Sequence, residues 1–257
     1  MSLADLTGKT IVVTGGARGI GKAICTSFAQ CGGDVIIADI RLPEAQATAT
    51  ELCRTTGRRV VAIQTDLTNL DDVVQMTSQA LEQFGKIDVL VNNAGWDKLK
   101  PFLKTTPDFW DKVIAINYKG VLNTCFAVLP HMVSRKAGSI VNISSDTGRV
   151  GSMGEAVYSG TKGAIIAFSK SLAREHARDN IRVNVVCPGL IDTPLLKEIM
   201  GEEFGGKVVD SIVRSIPLRR LGQPDEVSPM AVFLASDSAR YITGQLISVN
   251  GGLAMAG

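Results

Sequence analysis

Histidine is nearly missing from this chain of 257 residues: only His131 and His176 occur. The five cysteines, Cys25, Cys31, Cys53, Cys125 and Cys187, contain no C-x-x-C pair. A structural zinc needs a close set of Cys and His ligands, so no metal centre is expected. An odd set of scattered cysteines reads as reduced thiols in a cytosolic protein. Aromatic residues are only 5% of the chain, and 27 basic side chains nearly balance 25 acidic ones, for a net charge of +2. Neither a basic face nor a stacking platform for nucleic acid follows from such numbers. Met1 to Lys9 is polar and lacks an apolar signal region. No apolar run reaches the length needed to span a bilayer. A cytoplasmic protein with no membrane partner is the expectation. At 45% hydrophobic and 20% charged residues, the chain is globular, not disordered.

Glycine, by contrast, is abundant at 26 residues, which implies tight turns and close backbone approaches. Short apolar runs alternate with amphipathic stretches. Strands are predicted at Thr10 to Thr14, Asp34 to Asp39, Val60 to Gln64, Asp88 to Val91, Ser139 to Ile143, Ile181 to Val186 and Leu246 to Val249. Helices are predicted at Gly19 to Gln30, Pro43 to Arg54, Asn69 to Phe84, Asp108 to Ser134, Ala156 to Ala177 and Asp225 to Ala235. Continuously apolar strands alternating with helices mean an α/β fold with a parallel sheet covered on both faces. No linker or repeat interrupts the pattern, so residues 1–257 are expected to form a single domain. Ile191 to Arg220 is the least patterned part. It holds Gly201, Gly205, Gly206 and Pro217 and is expected to be a mobile substrate-loop segment.

Thr14-Gly15-Gly16-Ala17-Arg18-Gly19-Ile20-Gly21 lies between the first strand and the first helix. Glycines there allow a pyrophosphate close to the backbone, and the helix start offers free N–H groups. Asp39 ends the second strand, where a carboxylate accepts hydrogen bonds from both ribose hydroxyls and repels a 2′-phosphate. NAD is therefore favoured over NADP, although Arg18 and Arg41 are cations that can hold such a phosphate. Asp66 follows the third strand and either meets the adenine amino group or caps the next helix. Asn92-Asn93-Ala94-Gly95 ends the fourth strand with small residues suited to close cofactor approach.

Tyr158 and Lys162 stand four apart at the start of a predicted helix and share a face. Ser145 follows the fifth strand. Interconversion of a secondary alcohol and a ketone needs an acid/base at the carbonyl oxygen. Tyrosine has an ordinary pKa of about 10, and a nearby ammonium favours its phenolate.

With TGGARGIG, NNAG, the Asn117 of IAIN, the Ser145 of NISS, YSGTK and Pro188-Gly189 in order along the chain, the sequence resembles the short-chain dehydrogenases/reductases. The resemblance implies a single-domain Rossmann fold with a doubly wound, seven-stranded parallel sheet. It implies Tyr158 as acid/base, Lys162 lowering its pKa and binding the nicotinamide ribose, Ser145 orienting substrate and Asn117 holding a relay water. It implies cofactor contacts at Gly15, Arg18, Gly19, Ile20, Gly21, Asp39, Asp66, Leu67, Asn93, Ala94, Gly95, Pro188, Gly189, Ile191 and Thr193. A homotetramer is implied as well.

NNAGWD, Lys100–Phe102, the stretch from Ser145-Asp146 to Ser152, GEAVY and REHAR are similar to the 2-hydroxycyclohexanecarboxyl-CoA dehydrogenases. That similarity implies an acyl-CoA thioester as the small-molecule substrate. Trp96 is placed to wall a ring, and Asp146 and Arg149 lie in sequence where substrate passes, either as contacts or as a mutual salt bridge. Lys98, Lys100 and Lys104, with Arg214, Arg219 and Arg220, are candidates for coenzyme A phosphates or an acidic carrier protein. Three alternatives stay open: an NADPH-dependent 3-oxoacyl-carrier-protein reductase, a polyol or small-alcohol dehydrogenase, and a non-catalytic dinucleotide-sensing module.

Overall fold

A computed structural model describes residues 4–256. The first half alternates β1 (Thr10–Thr14), α1 (Gly19–Gln30), β2 (Asp34–Asp39), α2 (Leu42–Thr56), β3 (Val60–Gln64), α3 (Leu70–Phe84) and β4 (Val89–Asn92). Then come α4 (Pro107–Ile114), α5 (Gly120–Arg135), β5 (Gly138–Ile143), α6 (Thr147–Val150) and α7 (Ala156–His176). The chain closes with β6 (Ile181–Pro188), α8 (Pro194–Met200), α9 (Glu203–Ser215), α10 (Pro224–Ala235) and β7 (Leu246–Val249). The strands form one seven-stranded sheet in the order β3-β2-β1-β4-β5-β6-β7, and every pairing is parallel.

Side chains alternate across each strand, so an apolar run buries both of its faces. Ile11 and Val13 pack with Ile24 and Phe28 of α1, Leu52 of α2 and Val227 and Leu234 of α10. Val12, between them, faces the other way into Met76 of α3, Val128 and Met132 of α5 and Ile165 of α7. A third, smaller cluster joins Leu99 to Leu196, Val208 and Val209 above the sheet. Because β1 pairs with β2 on one side and β4 on the other, their following loops diverge, and a crevice opens at the strands' C-terminal ends.

Three expectations need correction. The segment from Ile191 to Arg220 is not patternless: it holds α8 and α9. Pro194 occupies the first turn of α8, and the Thr193 hydroxyl caps it by accepting from the Leu196 N–H at 3.1 Å. The α9 face carrying Val208 and Val209 packs on Leu196 and Leu99. Gly205 is a close contact, not a breaker, since a Cβ there would sit 2.2 Å from the Ile199 carbonyl oxygen. Second, the long helix expected from Asp108 to Ser134 contains a π-helical turn at Ala115–Lys119, between α4 and α5. Third, the helical run Pro107–Arg135 contains an 18-residue window with a mean hydropathy of 1.3, long and apolar enough by length and composition to cross a membrane. Here its apolar residues Val113, Val121, Val128 and Met132 are buried in the protein.

At the sheet's opposite end Asp88 ties three elements together. It accepts from the Thr10 N–H at 2.9 Å, from Arg135 at 2.9 Å and from Lys86 at 3.0 Å. Burial works against its charge, but these donors outweigh it and hold the carboxyl below its ordinary value. Its stabilising contribution is therefore complete above about pH 4 and lost as pH falls through the depressed value. Asp88→Ala should cost about 2–3 kcal/mol at neutral pH and less in acid. Urea unfolding of both forms at pH 7 and pH 3 checks this, and an equal difference at the two pH values would refute it.

Candidate active site

The loops after β1 and β4 are stitched together by side chains. Thr14 Oγ1 accepts from the backbone N–H of Asn93 at 3.0 Å and of Ala94 at 3.1 Å. Asn93 Nδ2 donates to the carbonyls of Thr14 and Gly15, both at 3.0 Å. Gly15 has a φ of +64°, and a Cβ there would lie 2.8 Å from Ala94 Cα. A Cβ at Gly21 would lie 2.0 Å from the Gly15 carbonyl oxygen. Only glycines allow this loop to fold flat against the start of α1, whose first N–H groups have no partner within the helix. The cradle fits a dinucleotide pyrophosphate.

A cavity of 950 Å³ runs from this loop across the strand ends. Gly15, Arg18, Gly19, Ile20, Gly21, Asp39, Asp66 and Leu67 line one part; Asn93, Ala94, Gly95 and Trp96 border the middle. Ser145, Tyr158, Lys162, Pro188, Gly189, Ile191 and Thr193 line the other part. The volume suits a cofactor together with a substrate.

Asp39 is 8% exposed. Its Oδ2 accepts from the Ala17 N–H and its Oδ1 from the Arg41 N–H, each at 3.0 Å. Both candidate phosphate-binding cations are held by carboxylates: Arg18 by Glu198 at 2.9 Å and Arg41 by Glu44 at 3.4 Å. Asp66 does not cap α3. Its Oδ1 accepts from the Thr68 N–H at 2.9 Å and the Thr68 hydroxyl at 2.7 Å, while the Asn69 side chain caps the helix by accepting from the Asp71 N–H at 2.9 Å.

Ser145, Tyr158 and Lys162 converge. The Ser145 hydroxyl is within hydrogen-bonding reach of the Tyr158 phenol. It also accepts from the Thr147 N–H at 3.3 Å. Lys162, 3% exposed, donates from Nζ to the Ile143 carbonyl at 3.0 Å and lies 5.4 Å from the centre of the Tyr158 ring. Burial pulls the Lys162 ammonium down to about 8. Burial also pushes Tyr158 up, and the nearby Glu155 and Asp97 push it further, against the Ser145 hydrogen bond. Within the chain, then, the surroundings favour the neutral phenol. The phenolate expected from sequence needs added positive charge beside it.

Asn117 sits in the π-turn and is fully buried. Its Nδ2 donates to Trp96 O at 2.7 Å and to Val113 O at 2.9 Å, and its Oδ1 accepts from the Trp96 N–H at 3.1 Å. Both amide protons are used, so a water at Asn117 would be held through oxygen. A Cβ at Gly95 would meet Asn117 Oδ1 at 3.0 Å and Lys162 Nζ at 3.6 Å, so the amide and the ammonium approach the same point. Trp96 lines the cavity with Lys112 Nζ 4.0 Å from its ring centre.

Asp146 and Arg149 are turned toward the C-terminal segment. Asp146 accepts from the Ser248 hydroxyl at 2.6 Å and from Asn250 Nδ2. Arg149 donates to Ser248 Oγ at 2.8 Å and to the Ala256 carbonyl. The side chains expected to meet substrate therefore anchor α6 to the end of the chain, since Ser248 and Asn250 supply donors and acceptors that neither sequence neighbour offers. Lys98 pairs with Glu202 at 2.5 Å and Arg220 with Glu226 at 2.6 Å, so those two cations are engaged. Sequence reasoning missed Asp97, buried beside Glu155; an Asp directly after NNAGW was the available signal.

A family model described as enoyl-(acyl carrier protein) reductase matches residues 15–254. Oxidoreductase UcpA of Escherichia coli O157:H7 is 44% identical over 254 residues, covering 97% of this chain and 96% of that protein. The 3-oxoacyl-[acyl-carrier-protein] reductase FabG of Thermotoga maritima is 40% identical over 248 residues, covering 96% of this chain and 98% of that one. The crystal structure of a short-chain dehydrogenase/reductase from Brucella melitensis, described as glucose/ribitol dehydrogenase, matches with a TM-score of 0.89 at 34% identity, covering 98% and 99% of the two chains. This chain belongs to the short-chain dehydrogenase/reductase family. It is an oxidoreductase that acts on CH–OH groups with a nicotinamide dinucleotide.

Gly21→Ala should weaken dinucleotide binding by about tenfold or more, equivalent to about 1.4 kcal/mol, because the added methyl meets backbone that cannot yield. Calorimetric titration with NAD and NADP tests this; unchanged affinity for both would show that the loop does not carry the pyrophosphate.

Proposed function

We propose that the protein is an NAD-dependent dehydrogenase interconverting a secondary alcohol and a ketone on a β-hydroxyacyl-CoA thioester such as 2-hydroxycyclohexanecarboxyl-CoA. The observation that carries the chemistry is the convergence of the Ser145 hydroxyl, the Tyr158 phenol and the buried Lys162 ammonium on one cavity wall. Support for NAD comes from the buried Asp39 carboxylate at the end of β2 and from the pairing of Arg18 with Glu198 and Arg41 with Glu44. Gly15, Arg18, Gly19, Ile20 and Gly21 would hold the pyrophosphate, Asp39 the adenosine ribose, and Asp66 and Leu67 the adenine. Asn93, Ala94 and Gly95 would border the nicotinamide half, with Pro188, Gly189, Ile191 and Thr193 against its ring and carboxamide.

The bound dinucleotide supplies the hydride acceptor. The chain's own part is the proton. Tyr158 Oη takes it from the substrate hydroxyl as the carbon–oxygen double bond forms, and returns it in the reverse direction. Ser145 orients the substrate oxygen with a hydrogen bond. Lys162 favours the phenolate through its charge and binds the nicotinamide ribose. A water at Asn117, beside Gly95 and Lys162, would pass the proton onward. Trp96 would wall a ring-shaped acyl group, with α8 and α9 as the movable cover of the substrate end.

The likeness to 3-oxoacyl-[acyl-carrier-protein] reductases supports a second reading, an NADPH-dependent reductase of a carrier-bound ketoacyl group. Steady-state assays separate the two. Under the first, 2-hydroxycyclohexanecarboxyl-CoA is oxidised with NAD, Asp39→Ala loses NAD affinity by calorimetry, and Tyr158→Phe cuts kcat by about 10²–10⁴-fold while still binding cofactor. Turnover of 3-oxoacyl-carrier protein with NADPH, and none of the thioester with NAD, would overturn it.

A cytoplasmic homotetramer completes the proposal. The Phe126 side chain, on α5, is 70% exposed and available for pairing between copies. Light scattering after size exclusion should give four times the chain mass of 27.3 kDa, and a monomer peak would exclude the assembly.

A further inference from the structure

Two carboxyl groups meet behind the acid/base tyrosine, and no part of the reaction described above uses them. Asp97 lies in the segment after β4 and is 5% exposed. Glu155 is the residue directly before α7, three positions ahead of Tyr158, and lines the cavity. Main chain fixes the meeting. The Lys100 N–H donates to the Gly154 carbonyl at 2.9 Å, which joins the segment after β4 to the residue preceding Glu155. The Ser159 N–H donates to the Glu155 carbonyl at 2.7 Å and sets Glu155 at the helix start. Gly154 has a φ of +83°, and a Cβ there would lie 2.9 Å from the Phe204 ring, so this approach admits no side chain.

Asp97 Oδ2 is buried without any N–H or O–H partner among the described residues. The Lys98 backbone N–H stands by the Asp97 carboxyl, and the side chain within hydrogen-bonding reach of it is the Glu155 carboxyl, which has the Ser152 hydroxyl beside it as well. Two ionised carboxylates cannot hydrogen-bond each other, and a buried unpartnered oxygen is costly. One shared proton resolves both problems.

We propose that Asp97 and Glu155 form a proton-sharing carboxyl pair that acts as a positioning unit for Tyr158, holding the phenol in its neutral form until cofactor charge and substrate arrive. The proposal rests on Tyr158 being the acid/base and not on which alcohol is oxidised. While it holds a proton the pair carries one negative charge, and it carries two after losing it. Each negative charge opposes phenolate formation nearby. Burial, and in Asp97 the facing Glu155, raises both carboxyls above the ordinary carboxylate range, so the second charge arrives toward neutral pH and not near pH 4.

The surrounding cations do not cancel the pair. Lys162, on α7, gives one Nζ proton to the Ile143 carbonyl and keeps its charge. Lys98, next to Asp97, is paired with Glu202. Lys112, on α4, sits over the Trp96 ring. Lys162 is the cation felt by Asp97, and Asp97 and Glu155 are the anions felt by Tyr158.

The test has one readout without substrate and one with it. Carboxyl ¹³C NMR of the protein labelled at Asp and Glu should show a titration near neutral pH that disappears in both Asp97→Asn and Glu155→Gln. The rising limb of kcat/KM for oxidation of 3-hydroxybutyryl-CoA with NAD should move to lower pH by about one unit in Glu155→Gln, and further in the double variant. Removing negative charge makes the phenolate easier to form, hence the downward direction. A merely structural role would lower the rate at every pH without moving the limb. The idea is overturned if both carboxyls titrate in the ordinary range, or if Glu155→Gln, folded as judged by circular dichroism, keeps the wild-type limb. Should 3-hydroxybutyryl-CoA not be turned over, the limb is read with 2-hydroxycyclohexanecarboxyl-CoA, and the NMR titration decides the pair without either substrate.

Discussion

Strand β1 pairs with β2 on one side and with β4 on the other, and the loops leaving β1 and β4 are bound together by Thr14 and Asn93. The crevice exists because the loop chains part there. It is rigid because the parting is clamped by four hydrogen bonds between two side chains and backbone. The glycine loop, the Asp39 strand end and the Asn92–Gly95 strand end all take their positions from that clamp. Glycine at positions 15 and 21 is then a packing requirement as much as a conformational one, since each would drive a Cβ into backbone.

The catalytic group depends on a second constraint, the burial of polar side chains with few partners. Asn117 satisfies its amide on Trp96 and Val113, which fixes the segment carrying Trp96 and Asp97. Lys162 satisfies one N–H on Ile143 and keeps its charge near Tyr158. Low-dielectric surroundings make each remaining charge matter more than it would in water. The burial of one phenol beside the Asp97 and Glu155 carboxyls is therefore the central electrostatic feature of the site. Salt bridges Arg18–Glu198 and Lys98–Glu202 link the same region to α8 and to the turn before α9. Helices α8 and α9 are thereby joined to the glycine loop on one side and to the segment after β4 on the other.

Much of this was legible in the sequence. Strands β1, β2, β3 and β7 have the bounds that their apolar runs predict, because a short apolar run between polar or turn residues reads as a strand. The glycine loop and the Tyr158–Lys162 spacing were legible as local patterns, and the structure brings them with Asp39 and Ser145 to the lining of one cavity. The π-turn was not, since its i→i+5 bond leaves the helical pattern of apolar residues almost unchanged. Helices α8 and α9 were hidden by glycines that look like breakers and by an apolar face whose partner, Leu99, lies about 100 residues away. The anchoring of Asp146 and Arg149 was hidden for the same reason, with Ser248 as their distant partner; Asp146 also lines the cavity.

Sequence alone determined the α/β class, the parallel sheet, and the spacing of the glycine loop and of Tyr158 and Lys162, because each depends on local periodicity or on residues a few positions apart. Tertiary structure decided which charges are free. Arg18, Lys98 and Arg220 are paired with carboxylates, Asp146 and Arg149 are tied to the C-terminal segment, and Asp97 comes together with Glu155 near Tyr158. Those outcomes follow from side chains brought together across the fold, where distance and burial set the energy and separation along the chain carries no information about either.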